Sequence, residues 1–200
     1  MSSDERPRPW TRHASQAGPD LMIFRARFDL LENPRNREHL RRLVLEAPAW
    51  VNVVALTSEQ RLLVVRQFRF GTGRVTIEIP GGVVDPGEEP LAAAQRELRE
   101  ECGAVSERWT ALGAVEPNPA FQDNLCHHFL AEDVRTVQAQ ELDRGEDIAI
   151  ETLSLDEVRA RIRSGEIRHS LVLCALARVM DLRGPRALDR AGRGLGADRG

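Results

Sequence analysis

The chain has 200 residues, with 28 Lys plus Arg against 31 Asp plus Glu and a formal net charge of −3, so no basic excess directs it toward nucleic acid. That length suits one domain with a substantial core, and the three cysteines, Cys102, Cys126 and Cys174, are odd in number and lack CxxC spacing, which argues against a disulfide framework or a cysteine zinc site. The first ten residues, MSSDERPRPW, have no apolar leader and no run approaches the ~20 apolar residues that span a bilayer, so the expectation is a soluble cytoplasmic protein with no membrane or nucleic-acid partner.

Residues 1–20 are polar and Pro-rich and carry no element signal, whereas LMIFRARFDLL (21–31) alternates as a strand and ENPRNREH follows as a loop. WVNVVAL (50–56) and RLLVVRQF (61–68) are β-branched runs separated by TSEQ, a spacing that predicts an antiparallel hairpin. VTIEIP (75–80) reads as the next strand and runs into GGVVDPGEEP, whose glycines and prolines forbid regular structure. LAAAQRELREEC then predicts a helix, with Pro90 in its first turn, Gly103 at its C-terminal cap and a buried stripe of Leu91, Ala94, Leu98 and Cys102. Residues 109–116, 126–131 and 148–155 read as further strands, and 156–165 and 171–182 as helices. The tail from Arg183, rich in Arg, Gly and Asp, lacks core-forming residues and is expected to be disordered. Strands interleaved with helices predict an α/β sandwich of mixed sheets.

One turn of the central helix is electrostatically odd. Glu97, Glu100 and Glu101 fall within RELREECGA (96–104), close to the helix end. Carboxylates three and four residues apart repel, and the negative end of the helix dipole disfavours them further. A bound cation reverses both penalties, so this turn is a candidate metal site.

Residues 82–104 resemble the Nudix box: Gly, five residues, Glu, seven residues, then Arg-Glu-apolar-any-Glu-Glu-any-Gly-apolar. Gly82, Glu88, Arg96, Glu97, Glu100, Glu101 and Gly103 all match, and the one soft departure is Ala104, where a larger aliphatic residue is usual. Within that superfamily, residues 50–82, with the RQFR stretch at Arg66–Arg69, resemble the ADP-ribose and nucleoside-diphosphate-sugar pyrophosphatases. Pro119, in EPNPAFQDN, stands where that branch carries a proline after the box, and the likeness covers roughly residues 10–182.

The resemblance implies a Nudix fold, an α/β/α sandwich with an N-terminal β extension. Its implied activity is Mg²⁺-dependent (or Mn²⁺-dependent) hydrolysis of the pyrophosphate of ADP-ribose or another nucleoside diphosphate sugar. Glu97 and Glu101, one turn apart, would be the leading ligands, with Glu100 as a third and the Gly81 carbonyl as a fourth oxygen, since hard Mg²⁺ takes oxygen donors. Arg96 and Glu88 would pair to orient the loop against the helix. Glu146, in the loop GED, would position or deprotonate the attacking water, with Asp143 and Asp147 as rivals. For the substrate, Arg69 would either bind phosphate bidentately or pair with an acidic neighbour. Glu78 would face either the nucleotide or solvent, and Trp10 or Trp50 would either stack on a base or pack as core. The family further implies a homodimer, with residues 1–45 as an extension carrying dimer contacts, 46–182 as the catalytic domain and 183–200 as a tail. Two alternatives stay open: another pyrophosphate substrate, such as a dinucleoside polyphosphate, NADH or an oxidised nucleotide, or a nucleotide-sensing domain without catalysis. His127 and His128 have no metal-spacing partner, Cys102 falls on the buried stripe, and Gly71-Thr-Gly73 lacks the lysine of a P-loop, so all four features take structural explanations.

Overall fold

The computed structural model describes residues 6–182. The chain divides into two units, residues 1–49 with 116–126, and residues 50–115 with 127–200. The expected tail at 183–200 lies outside the described residues.

The first unit is a three-stranded antiparallel sheet in the order β1 (Thr11–Asp20), β2 (Arg25–Glu32), β3 (His39–Glu46). Neither β1 nor β3 was expected. β1 contains Gly18 and Pro19 and is exposed along almost its whole length, so it lacks both the composition and the alternation by which strands are recognised; pairing with β2 supplies its order. Register slips between Arg12 and Ala14 and leaves His13 as an extra, bulged residue. Inside the sheet Asp29 is buried and receives hydrogen bonds from Ser15 and Arg27. The segment 116–126 joins through Leu45, whose amide donates to the Phe121 carbonyl at 2.7 Å.

The second unit holds β4 (Trp50–Ala55), β5 (Arg61–Arg69), β6 (Arg74–Glu78), α1 (Pro90–Cys102), β7 (Ala104–Val105), β8 (Arg108–Val115), β9 (Cys126–Glu132), β10 (Arg135–Thr136), β11 (Ile148–Ser154), α2 (Leu155–Arg163) and α3 (Ser170–Leu176). Its sheets run β11-β5-β6 and β4-β9-β8, with β7 and β10 as a short pair. The expected β4–β5 hairpin is therefore corrected. The turn at 57–60 does reverse the chain, but past a single bridge at Leu56 and Leu62 the strands enter different sheets. The reason lies in the runs themselves: VVA and LLVV are buried without alternation, the pattern of strands covered on both faces. Val54, Leu62, Val64, Ile77, Leu153 and Leu176 meet in one core that draws on both sheets and on α3. Full burial of each such side chain contributes about 1.5–3 kcal/mol. α2 begins with a capping box, Ser154 and Glu157 each bonding the other's backbone amide, and α3 ends at Leu176, short of the expected 182.

Candidate metal and pyrophosphate site

α1 carries the acidic turn, and its ends behave as the sequence requires. Pro90 fills the first turn, where its missing N–H costs nothing, and Gly103 closes the helix at φ 60, with its amide donating to the carbonyls of Arg99 and Leu98. The buried face is rotated from the expected stripe. Its two rows are Ala93–Glu97–Glu101 and Ala94–Leu98–Cys102, each at i, i+4 spacing, while Leu91 stays 39% exposed in the first turn. The alanines at 93 and 94 keep this face slim where α1 packs on β4. Glu97 and Glu101 consequently sit on the buried face itself, only 8% and 3% exposed.

The loop before the helix is held from the opposite side. Val51 and Gly82 exchange both backbone hydrogen bonds, at 2.9 and 3.1 Å, and Val53 N–H donates to the Pro80 carbonyl, so 80–82 runs along β4 like an added strand. That clamp presses the loop onto the glutamates. A Cβ at Gly82 would collide with the Glu97 carboxylate, which is why the box needs glycine at this point. The Gly81 amide donates to Glu101 Oε2 at 2.9 Å.

Arg96 gathers the remaining acids. Its Nε and Nη2 reach both oxygens of Glu88 at 3.0 Å, its Nη1 lies 2.9 Å from Glu97 and 3.0 Å from Glu100, and its Nη2 also donates to the Val83 carbonyl. One guanidinium thus ties the loop to the helix, as the Glu88–Arg96 pairing requires. The three box glutamates do not converge on a common point by themselves. Among the described residues, the three metal-type donors that lie within 4.8 Å of one another are His13, Glu32 and His39, in the first unit.

Burial raises the affinity of Glu101 for its proton, and the Gly81 amide offsets only part of this. The neighbouring charges of Glu97 and Glu146 add to the rise, and its pKa is pushed up to about 8. Glu97 is likewise raised, by burial first, and by Glu100 and Glu146 beyond what Arg96 compensates. Two carboxylates whose proton affinity is raised by burial and by neighbouring negative charge are a donor set that a divalent cation fits.

The C-terminal carbonyls of α1 would be orphans at this depth, and residues 137–141 satisfy them. Val137 N–H donates to Gly103, the Gln140 side chain to Glu101 at 2.5 Å and to Ile148, and Glu141 N–H to Glu100 at 2.9 Å. The chain then turns at Asp143–Glu146, where each residue's amide bonds to the other. Of the three loop acids, Glu146 is the one whose charge acts on Glu97, Glu101 and Arg69. Gln140 escaped the sequence reading, because a glutamine capping a helix 39 positions away leaves no local signal.

On the β5–β6 hairpin Arg69 makes a bidentate pair with Glu78, both bonds at 2.8 Å, and Thr76 Oγ1 donates to the same carboxylate at 2.6 Å. Glu78 is 3% exposed, so the solvent-facing alternative is corrected: the strand turns this carboxylate inward, where Arg69 neutralises it. Burial pushes the Glu78 carboxyl up, yet the Arg69 and Thr76 hydrogen bonds outweigh it and hold the group below its usual range. Trp50 opens β4 half-buried beside Val83. Trp10 and Pro119 belong to the first unit, Pro119 exposed in a turn and Trp10 lining a cavity of about 710 Å³ with Arg6, Arg8 and Arg35. His128 is fully buried with its pKa pulled down to about 4 by burial, and Cys102 is buried with its thiol pushed up by the same cause.

The Nudix domain family model matches residues 47–173, well over half of the chain. The chain belongs to the Nudix family. It is 34% identical over 133 residues to an ADP-ribose pyrophosphatase of Bacillus subtilis, an alignment covering 66% of this chain and 72% of that one. It is 30% identical over 155 residues to the methanol dehydrogenase activator of Bacillus methanolicus, covering 77% and 83%. Among solved structures, an ADP compounds hydrolase superposes with a TM-score of 0.76 at 20% identity over 88% of this chain and 94% of that one, which establishes the Nudix α/β fold. Nudix hydrolases use a divalent metal, and the buried glutamates of α1 are donors of the right kind. No helix among the described residues is long and apolar enough to cross a membrane.

Proposed function

We propose that this Nudix hydrolase cleaves the pyrophosphate of ADP-ribose or a related nucleoside diphosphate sugar, releasing a nucleoside monophosphate and a sugar phosphate. The observation that carries the reading is the pair of buried, under-neutralised carboxylates, Glu97 and Glu101, in a complete Nudix box. The substrate class is supported by the Bacillus subtilis relative and by the RQFR stretch.

Glu97 and Glu101 would hold the metal, with Glu100, now bonded to Arg96, as a third donor and the Gly81 carbonyl as a fourth. Mg²⁺ is the intended ion, Mn²⁺ an acceptable substitute, and when bound it neutralises the phosphoryl charge and favours ionisation of the attacking water. Glu146 accepts the water proton at its carboxylate, from a loop anchored by Gln140 and Glu141 on α1. Arg96 and Glu88 keep the loop 80–88 against the helix, while the Gly82 and Gly103 backbones give the close approaches that a side chain would block. Arg69, fixed by Glu78, presents its remaining N–H groups to the substrate phosphates. Trp50 is the proposed contact on the nucleoside side.

We place residues 1–45 at the contact of a homodimer, a role in keeping with exposed Leu21, Met22 and Ile23 at the β1–β2 turn. Three free cysteines suit a reducing cytoplasm.

The test is phosphate release in a phosphatase-coupled assay with Mg²⁺, across ADP-ribose, ADP-glucose, GDP-mannose, UDP-glucose, NADH, diadenosine polyphosphates and nucleoside triphosphates. Preference for diphosphate-linked sugars supports the reading. Preference for NADH or a dinucleoside polyphosphate moves the substrate class, and nucleotide binding without any turnover replaces catalysis with sensing.

A further inference from the structure

The three strands of the first unit each contribute one metal-type donor to a single point. Glu32 ends β2 and pairs in register with His39, the first residue of β3. His13 is the bulged residue of β1, two positions after Thr11, which pairs with Glu32 from the other side. His13 Nε2 lies 2.7 Å and His39 Nε2 3.4 Å from the same oxygen, Glu32 Oε2. The two imidazoles stack at 4.7 Å between centroids. Arg37 engages the other oxygen, Oε1, at 2.7 Å and leaves Oε2 to the histidines.

As a mere hydrogen-bonded group this arrangement is crowded. Two stacked imidazoles and a guanidinium compete for one carboxylate, and both rings turn Nε2 toward the same oxygen. A single dication among these three atoms would use the rings as neutral donors and the carboxylate as the charged one. The spacing fits as well: tetrahedral bonds of ~2.0–2.1 Å put donors ~3.4 Å apart, which is the His39–Glu32 separation and under 1 Å from the His13–Glu32 one.

We propose that His13, Glu32 and His39 form a zinc site that clasps β1, β2 and β3 together. It shares no residue with the Nudix box. Its fourth position is open to water, since the histidine side chains are 40% and 50% exposed, and Arg37 orients the carboxylate from behind.

The experiment uses the untagged full-length chain, stripped with chelator and titrated with Zn²⁺ against a chromophoric chelator in excess Mg²⁺. Wild type is expected to take up one zinc that Mg²⁺ does not displace, with a rise in melting temperature. His13→Ala and His39→Ala should each weaken zinc at least tenfold and abolish that rise, while their metal-free melts stay close to wild type because both rings are half exposed. Glu97→Gln and Glu101→Gln should leave this zinc in place. Co²⁺ in place of Zn²⁺ should give visible d–d absorption that His13→Ala removes. Failure of wild type to compete for zinc overturns the site, as does unchanged affinity in both histidine variants. Loss of the zinc in the Glu97 and Glu101 variants, with retention in the histidine variants, assigns it to the Nudix glutamates and also overturns the proposal.

Discussion

Among the described residues five carboxylates are buried; Glu32 faces the two histidines of the proposed zinc site, and the other four separate into two kinds. In the first unit, Ser15 and Arg27 hold Asp29 below its usual range against its burial, and on the β5–β6 hairpin Arg69 does the same for Glu78. On α1, Glu97 and Glu101 are as deeply buried, yet both are raised. Burying a carboxylate is costly in any fold, and structural acids meet that cost with a partner of their own. The glutamates of α1 share one arginine and one backbone amide among several charges. On the proposed function, this deficit marks groups kept for a cation rather than for the fold.

The comparison breaks most visibly at Glu101. Glu101→Gln is expected to lower kcat/KM by about 10³-fold or more, through lost metal-ion electrostatics, while leaving the metal-free melting temperature at or above that of wild type. Steady-state kinetics and thermal melting on the same preparation check both halves, and a drop in stability would place Glu101 with the structural acids. Glu146→Gln should lower kcat about 10²- to 10⁴-fold, the range of a lost general base, with metal affinity retained. Asp147→Asn serves as the control and should change kcat far less. Glu78→Gln should do the reverse of Glu101→Gln and cost stability, by about 1–2 kcal/mol in denaturant melts. That lies below the ~3–5 kcal/mol of a broken buried pair, because the Arg69 side chain is 45% exposed and partly screened by water. The same carboxyl sets a pH dependence. Because Glu101 binds its proton more tightly folded than unfolded, the metal-free protein should lose stability as pH rises from the ordinary value of 4.5 through about 8. Mg²⁺ should restore more of that loss at the alkaline end, where the carboxylate is free to bind it, and melts across this window with and without Mg²⁺ provide the check.

Much of this was visible in the sequence, and the limits have physical causes. α1, its two caps and the spacing of Glu97 and Glu101 are local features, recorded within one helical period, and they were read correctly up to a small rotation of the buried face. β1 was missed because its order comes from β2 rather than from its own residues. The β4–β5 hairpin was misjudged because a short connection shows that the chain turns, not which strands become neighbours. The capping of α1 by Gln140 and the meeting of His13, Glu32 and His39 depend on register across strands and loops, and no spacing along the chain records them. The sequence reading put Glu146 first, with Asp143 and Asp147 as rivals; the turn at 143–146 and the charge that Glu146 places on Glu101 are features that no spacing records.

The central claim is that Glu97 and Glu101 are kept charge-deficient in order to hold a divalent cation. Its most direct test is Mn²⁺ binding, followed by the electron paramagnetic resonance of the free ion, in wild type, Glu101→Gln and Glu78→Gln. The account predicts that Glu101→Gln weakens Mn²⁺ at least tenfold while Glu78→Gln binds it as wild type does. Equal binding by wild type and Glu101→Gln would contradict it.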